Sequence, residues 1–151
     1  MFIAVSRLVP LFLYLVLPKA LLHFGYNDAK QRSLLAVACI LFLVSWYLPS
    51  PLIDGMDTSF TTHFVGGGLF CGLLWLYLYK TLKCRWPVWL QLISLFALVS
   101  MLGTVNELFE LVIVQLGLVD IQLIDTSWDL FANTLGSAVF YALYKLVQRL
   151  R

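Results

Sequence analysis

Acidic side chains, one histidine and two asparagines recur in three apolar stretches of this chain. They are His63 in the first stretch, Asn106, Glu107 and Glu110 in the second, and Asp125, Asp129 and Asn133 in the third. Imidazole and carboxyl groups act as general acids and bases when they lie together. The same groups also bind divalent metal ions. Since Asp125, Asp129 and Asn133 are spaced at i, i+4 and i+8, a helix would carry them in one stripe.

The composition decides which solvent surrounds these groups. The chain has 151 residues, of which 62% are hydrophobic and 12% are charged. Soluble domains are about half apolar and a quarter charged. The excess of apolar residues predicts an all-α, polytopic transmembrane helical bundle that forms a single domain in contact with membrane lipid. Nothing in the sequence indicates a nucleic-acid partner, and the three widely separated cysteines indicate no disulfide framework.

Hydrophobic segments of suitable length predict about five spans, at approximately 3–22, 32–48, 60–79, 87–117 and 128–147. The first is interpreted as a retained span, because Pro18-Lys19 stands where a signal peptide would have a small-residue cleavage site. The fourth exceeds the length that the hydrocarbon core requires, so it is expected to tilt, break or project.

Basic residues alternate between the connections and predict the orientation. They flank the first and third connections and the chain end, whereas 49–59 and 118–127 contain no lysine or arginine. With five spans only Arg7 falls on the other side. The positive-inside rule therefore places the C-terminus in the cytoplasm and the N-terminus outside a plasma membrane.

This orientation brings the acids and the histidine to one depth, near the non-cytoplasmic surface. An ionisable group at the centre of a membrane costs about 2.5 to 3.5 kcal/mol on insertion scales. Such groups must be paired, protonated, hydrated or bound to a cation. We therefore expect a polar pocket from spans three to five. His63, Glu107, Glu110 and Asp129 are its catalytic candidates, Asp125 and Asn133 its binding candidates, and His63, Glu110 and Asp129, with Glu107 as an alternative, its metal candidates.

Glycines adjoin each polar stripe and predict close helix packing. Gly67 follows His63 by one turn, Gly68 and Gly72 form a small-xxx-small pair, and Gly136 continues near the stripe of the fifth span. Small residues let transmembrane helices approach closely. Spans three to five should therefore turn their polar faces towards one another.

Three motifs resemble those of the VanZ-like superfamily, and most of all its YjdF-type branch of small integral membrane proteins. They are His63-Phe64-Val65-Gly66, the segment 106–110 (NELFE) and the segment 125–136 (DTSWDLFANTLG). The resemblance covers about 57–147. It implies a helical membrane protein of the cell envelope with no assigned biochemistry. The member that names the family is associated with low-level resistance to teicoplanin, so the resemblance also implies a lipid-linked or glycopeptide-type envelope ligand.

Three hypotheses for the polar residues remain open: a structural or binding role, an enzyme, and a proton or ion carrier. The residues could satisfy one another and fix the helix packing, as polar groups in membranes commonly do. They could bind an envelope ligand, or belong to an enzyme that acts on a lipid-linked substrate by acid–base or metal-assisted chemistry. They could carry protons or ions, although the inner halves of these spans contain no acids.

Overall fold

The computed structural model describes residues 2–53, 56–117 and 123–150, and it describes only the backbone at 2–6, 53, 56–57 and 123–125. Within these ranges the chain forms five helices, which confirms the all-α fold class. They are α1 (Phe2–His23), α2 (Arg32–Ser45), α3 (Phe60–Thr81), α4 (Val88–Gln115) and α5 (Leu123–Arg149). Between α2 and α3, the two-residue strands β1 (Leu52–Ile53) and β2 (Met56–Asp57) pair antiparallel.

Three segments of the described chain are long and apolar enough to cross a membrane: Phe60–Thr81, Val88–Gln115 and Thr126–Arg149. The side chains on the outer face of α4 are exposed although they are large and hydrophobic, as at Ile93, Phe96 and Met101. Lipid is the solvent that suits such a face. These features support an embedded protein.

Helix α2 lies within the second predicted span and ends three residues before the end of that span. Helix α2 ends at Ser45 and the chain turns at 46–47, short of the predicted end at residue 48. The 14 residues of α2 rise about 21 Å at 1.5 Å per residue, less than a hydrocarbon core of about 30 Å. The residues before a proline avoid the helical conformation, so Pro49 and Pro51 favour this early end.

Helix α4 is continuous over 28 residues, which correspond to about 42 Å. Of the three expected outcomes, breaking is excluded, and tilting or projecting is left. Its extra length carries it past the depth of the acids, up to a turn that Gly117 closes with a φ of +68°. Glycine adopts this left-handed conformation without steric cost.

Helix α3 changes its winding along its length. Phe60–Thr62 is α-helical, His63–Leu69 is π-helical, and Phe70–Thr81 is α-helical again. A π-helical stretch inserts extra backbone per turn and is often found at functional sites. Three consecutive glycines, 66–68, lie inside it. Without side chains they offer a smooth surface, and α5 packs most extensively on this segment.

Helices α3 and α5 run parallel, because successive positions meet in order. A Cβ at Gly68 would lie 2.6 Å from Cα of Gly136, and one at Gly72 would overlap the ring of Phe140. Helix α4 runs antiparallel to both. Its early residue Ser94 accepts a hydrogen bond from the indole of Trp75, late in α3, at 2.9 Å.

The apolar core lies mainly in the half of the bundle that contains the C-terminal part of α3. Tyr77 and Leu35 are fully buried there, and Trp75 and Leu95 pack against them. The beginnings of α3 and α5 lie at the other end. That end holds the polar residues that the sequence singles out.

Candidate functional site

One side chain from each of α3, α4 and α5 meets at the start of α3. Nε2 of His63 lies 3.2 Å from Oδ1 of Asp129. A carboxylate oxygen of Glu107 joins them, so that one potential ligand atom from each residue lies within 4.8 Å of the other two. Asp129 is only 1% exposed, so this contact is shielded from solvent. We call these three residues the polar triad.

Each member of the polar triad comes from a different helix. His63 is the first residue of the π-helical segment. Asp129 lies in the second turn of α5, because that helix already begins at Leu123. Glu107 comes from the opposite direction on the long α4. The convergence therefore depends on the parallel α3–α5 pair and the antiparallel α4, rather than on any local motif.

The side chain of Asn133 forms a second layer directly below the polar triad. It lies one turn after Asp129, and its Oδ1 occupies the space that a Cβ at Gly67 would require. Its Nδ2 lies 3.4 Å from the position of a Cβ at Gly103. Gly67 follows His63 by four residues, and Gly103 precedes Glu107 by four residues. The two glycines thus make room for one buried carboxamide, which is 5% exposed.

The remaining predicted structural glycines lie where helices touch. A Cβ at Gly68 would be 2.6 Å from the carbonyl oxygen of Asn133, and one at Gly136 would meet the carbonyl oxygen of Phe64. Backbone atoms of a helix cannot move aside independently, so these two positions exclude any larger residue. The close α3–α5 contact is what holds His63 against Asp129.

Glu110 lies outside the polar triad. Its Oε1 accepts a hydrogen bond from Nδ2 of Asn106 at 2.8 Å, and both residues line the neighbouring cavity. In the described part of the chain, the three-residue group that could hold a metal includes Glu107 and not Glu110. The backbone of Asp125 lies in the first turn of α5, but its side chain is outside the described residues. The side chains of Asp54, Asp57 and Asp120 are outside them as well.

A cavity of about 890 Å³ extends between the helices beside the polar triad. Its walls combine apolar side chains with a polar end. The apolar residues include Leu13, Phe42, Phe70, Leu74 and Leu102, and the polar ones include His63, Asn106, Glu110, Asp129 and Asn133. A cavity of this size is within the range of small-molecule sites, and its two-part lining suits a ligand with a polar and an apolar part.

Sequence reasoning missed a buried ionic cluster at the opposite end of the bundle. Asp28 is 6% exposed and accepts a hydrogen bond from the hydroxyl of Tyr77 at 2.8 Å. Nε of Arg32 lies 3.0 Å from the same carboxylate oxygen. The i, i+4 spacing of Asp28 and Arg32 was the signal for their pairing. The hydrogen bond between Tyr77 and Asp28 ties the connection between α1 and α2 to α3.

A second missed network joins α4 to α3 and α5 at this end. Gln91 accepts a hydrogen bond from the hydroxyl of Tyr141 at 3.1 Å and donates one to Tyr79 at 3.3 Å. The ring of Trp75 stacks on Tyr79 and meets Tyr141 edge-on. The aromatic side chains of α3 therefore pack between helices, and together they close the bundle below the cavity.

The polar triad, the Asn133 layer and the cavity together form the candidate site of this chain. The imidazole and carboxylates of the triad have the chemistry for proton transfer and for metal binding. No family model, curated protein or solved structure matches the chain, so its resemblance to the VanZ-like superfamily stays a prediction.

Proposed function

We propose that this chain is a VanZ-like integral membrane protein that binds a lipid-linked ligand of the cell envelope. The ligand's apolar chain would occupy the cavity between the helices, and its polar head would lie against the polar triad. The observation that carries the proposal is the juxtaposition of a cavity of about 890 Å³ with the partly buried His63 and the buried Asp129 at its end.

The lining of the cavity fits an amphiphile better than a small soluble metabolite. Phe42, Phe70 and Leu74 come from α2 and α3 and offer apolar contacts. Burying a methylene group against such a wall contributes about 0.8 kcal/mol. A polar head would meet the carboxylates and the imidazole at one end of the cavity, and this would set the orientation of the bound ligand.

The distribution of charge supports an outward-facing site with five spans in a bacterial-type plasma membrane. Lys80, Lys83 and Arg85 lie near the end of α3 and the start of α4, and the basic C-terminal residues lie near the end of α5. The polar triad lies at the other end of the same three helices. By the positive-inside rule the triad then faces away from the cytoplasm, where envelope precursors are used.

Two observations rank the other interpretations. The 3.2 Å contact between His63 and Asp129, with Glu107 close by, favours acid–base or metal-assisted chemistry as the second candidate function. The hydrogen bond between Tyr141 and Gln91 lies in the inner half of the bundle and speaks against a continuous ion path. A purely packing role explains the triad but not the cavity beside it.

Lipid extraction tests the proposal directly. The chain would be extracted from bacterial membranes in polymer nanodiscs without detergent, and the co-purifying lipids would be identified by mass spectrometry. We expect enrichment of a lipid-linked saccharide or its lipid phosphate over the bulk membrane. Replacing Leu102, which lines the cavity, by tryptophan should reduce this enrichment several-fold. The matched variant Leu92→Trp lies on the exposed face of the same helix and should leave it unchanged.

Two results would reject the proposal. One is a lipid content that equals the bulk phospholipid composition in the wild-type sample. The other is equal enrichment in the Leu102→Trp and Leu92→Trp variants, which would mean that the ligand does not occupy the cavity. Teicoplanin susceptibility of an expressing strain provides an independent readout of the envelope role, and this readout should depend on Asp129.

A further inference from the structure

We propose that the polar triad binds one divalent transition-metal ion, with Nε2 of His63 and a carboxylate oxygen from each of Glu107 and Asp129 as ligands. The inference deepens the proposed function, since the metal would lie where the head of the ligand is expected. It concerns a different measurable property, however, and the metal site does not require the lipid to be present.

The spacing of the donor atoms suits a metal. Ligands at bond lengths of about 2.0 to 2.2 Å lie roughly 3 to 4.4 Å from one another around a tetrahedral or octahedral ion. Nε2 of His63 and Oδ1 of Asp129 are 3.2 Å apart, and all three donor atoms lie within 4.8 Å.

The buried carboxamide of Asn133 adds a further polar group beside the polar triad. Asn133 is 5% exposed, and its Oδ1 interacts with His63 but meets no donor at full hydrogen-bond geometry among the described residues. Its position one turn below Asp129 points it towards the triad, where it can orient the imidazole or supply a further oxygen to the ion.

The origin of the three ligands also distinguishes this site from a surface cluster of acids. Each comes from a different helix, and Asp129 is 1% exposed. Removing a carboxylate from water is unfavourable unless a positive charge accompanies it. The two outer connections, 49–59 and 118–127, contain four acids and no lysine or arginine, so this end of the molecule attracts cations.

The chemistry of the donors selects the class of metal. Imidazole together with carboxylates suits Zn²⁺, Mn²⁺ or Fe²⁺, whereas Mg²⁺ and Ca²⁺ prefer oxygen ligands alone. The structure also selects the second carboxylate. Glu107 contributes to the triad, while Glu110 is held by Asn106 at 2.8 Å and lies beyond the three-residue group.

Titration of the purified chain tests this site. The protein would be stripped with a chelator and placed in nanodiscs of synthetic phosphatidylcholine, and Mn²⁺ binding would be followed by electron paramagnetic resonance with Zn²⁺ as competitor. We expect one Mn²⁺ per chain, displaced by Zn²⁺ and not by an equal concentration of Mg²⁺. Labelling histidine with ¹⁵N should change the nitrogen hyperfine signal of the bound ion, since imidazole is a ligand.

Two near-isosteric variants give the discriminating comparison. Glu107→Gln should weaken binding by at least about 10-fold, and Glu110→Gln should leave it nearly unchanged. His63→Ala should abolish the nitrogen signal. Melting temperatures and elution volumes of the variants establish that they are folded, and a folded Glu107→Gln keeps the test valid if His63→Ala does not fold.

The metal proposal is overturned by the absence of saturable Mn²⁺ or Zn²⁺ binding in the wild type. It is also overturned if Glu110→Gln loses binding while Glu107→Gln retains it. Because the nanodiscs contain no envelope lipid, a failure here leaves the lipid enrichment experiment unaffected. Conversely, absent lipid enrichment with intact Mn²⁺ binding would reject only the lipid ligand.

Discussion

His63 and Asp129 face each other across the contact between α3 and α5, with Nε2 and Oδ1 3.2 Å apart. The contact forms where α3 becomes π-helical and where Gly67 and Gly68 allow α5 to approach its backbone. The polar pair and the close helix packing are therefore one feature. A substitution that disturbs the α3–α5 packing should therefore alter the contact between His63 and Asp129, and a substitution of either residue should affect the packing.

The coupling between these two side chains can be measured. A double-mutant cycle with His63→Ala and Asp129→Ala should give an interaction energy of about 1 kcal/mol in the free energy of unfolding, a typical value for polar contacts between transmembrane helices. The measurement is chemical unfolding in mixed micelles. His63→Ala combined with Tyr141→Phe at the other end should be additive within about 0.5 kcal/mol. Additivity of the first pair would argue that the contact is absent in the membrane protein.

Gly68 should tolerate no side chain. Its Cβ would lie 2.6 Å from the carbonyl oxygen of Asn133, so Gly68→Ala should lower the free energy of unfolding by about 1 to 3 kcal/mol. Gly103→Ala is the control. Its Cβ would meet only the ends of the Leu130 and Asn133 side chains, at 3.2 and 3.4 Å, which can shift. Equal losses of stability for the two variants would contradict the close α3–α5 approach.

Cys84 reports the orientation of the chain. It lies between α3 and α4 and is partly exposed, whereas Cys39 and Cys71 are buried. Burial raises the pKa of the Cys84 thiol, so its reactive thiolate increases with pH and labelling is best at alkaline pH. A membrane-impermeant maleimide should label Cys84 only after the membrane is opened. A cysteine introduced at Leu116, which is 67% exposed at the other end of α4, should react in intact cells. Labelling of Cys84 in intact cells would contradict the proposed orientation.

Proteoliposomes containing the chain should show no proton flux above that of empty liposomes. Trp75 donates a hydrogen bond to Ser94 at 2.9 Å and Tyr141 donates one to Gln91 at 3.1 Å, so side chains that hydrogen-bond one another occupy the half of the bundle away from the polar triad. A pH-sensitive dye inside the vesicles measures the flux, and gramicidin provides the positive control. A flux that disappears in Glu110→Gln would support the carrier interpretation instead.

Much of the candidate site follows from one-dimensional patterns. The spacing of Asp129 and Asn133 places them on one helical face, and the alternation of basic and acidic connections places His63 and Glu107 at a common depth. Both inferences depend only on helix periodicity and on the cost of charge in a membrane. The structure brings these residues together, although the binding and catalytic roles assigned to them remain predictions.

Other features could not be derived in this way. The π-helical winding of His63–Leu69 changes which side chains of α3 face α5, and an α-helical periodicity does not reveal it. The choice of Glu107 over Glu110 depends on how α4 is rotated about its own axis. A helix that is apolar on nearly all sides has no distinct polar face from which that rotation could be predicted. The burial of Asp28 against Tyr77 joins residues 49 positions apart.

The sequence alone determined that the chain forms apolar helices, which connections carry its positive charge, and that His63, Glu107 and Asp129 lie towards the same end of the bundle. These properties follow from hydropathy, helical period and the energetics of charge, which act on each segment separately. The tertiary structure decided which acid joins His63, how closely α3 and α5 approach, and where a cavity remains. Those outcomes depend on the mutual rotation and distance of helices, and packing between surfaces from distant parts of the chain sets both.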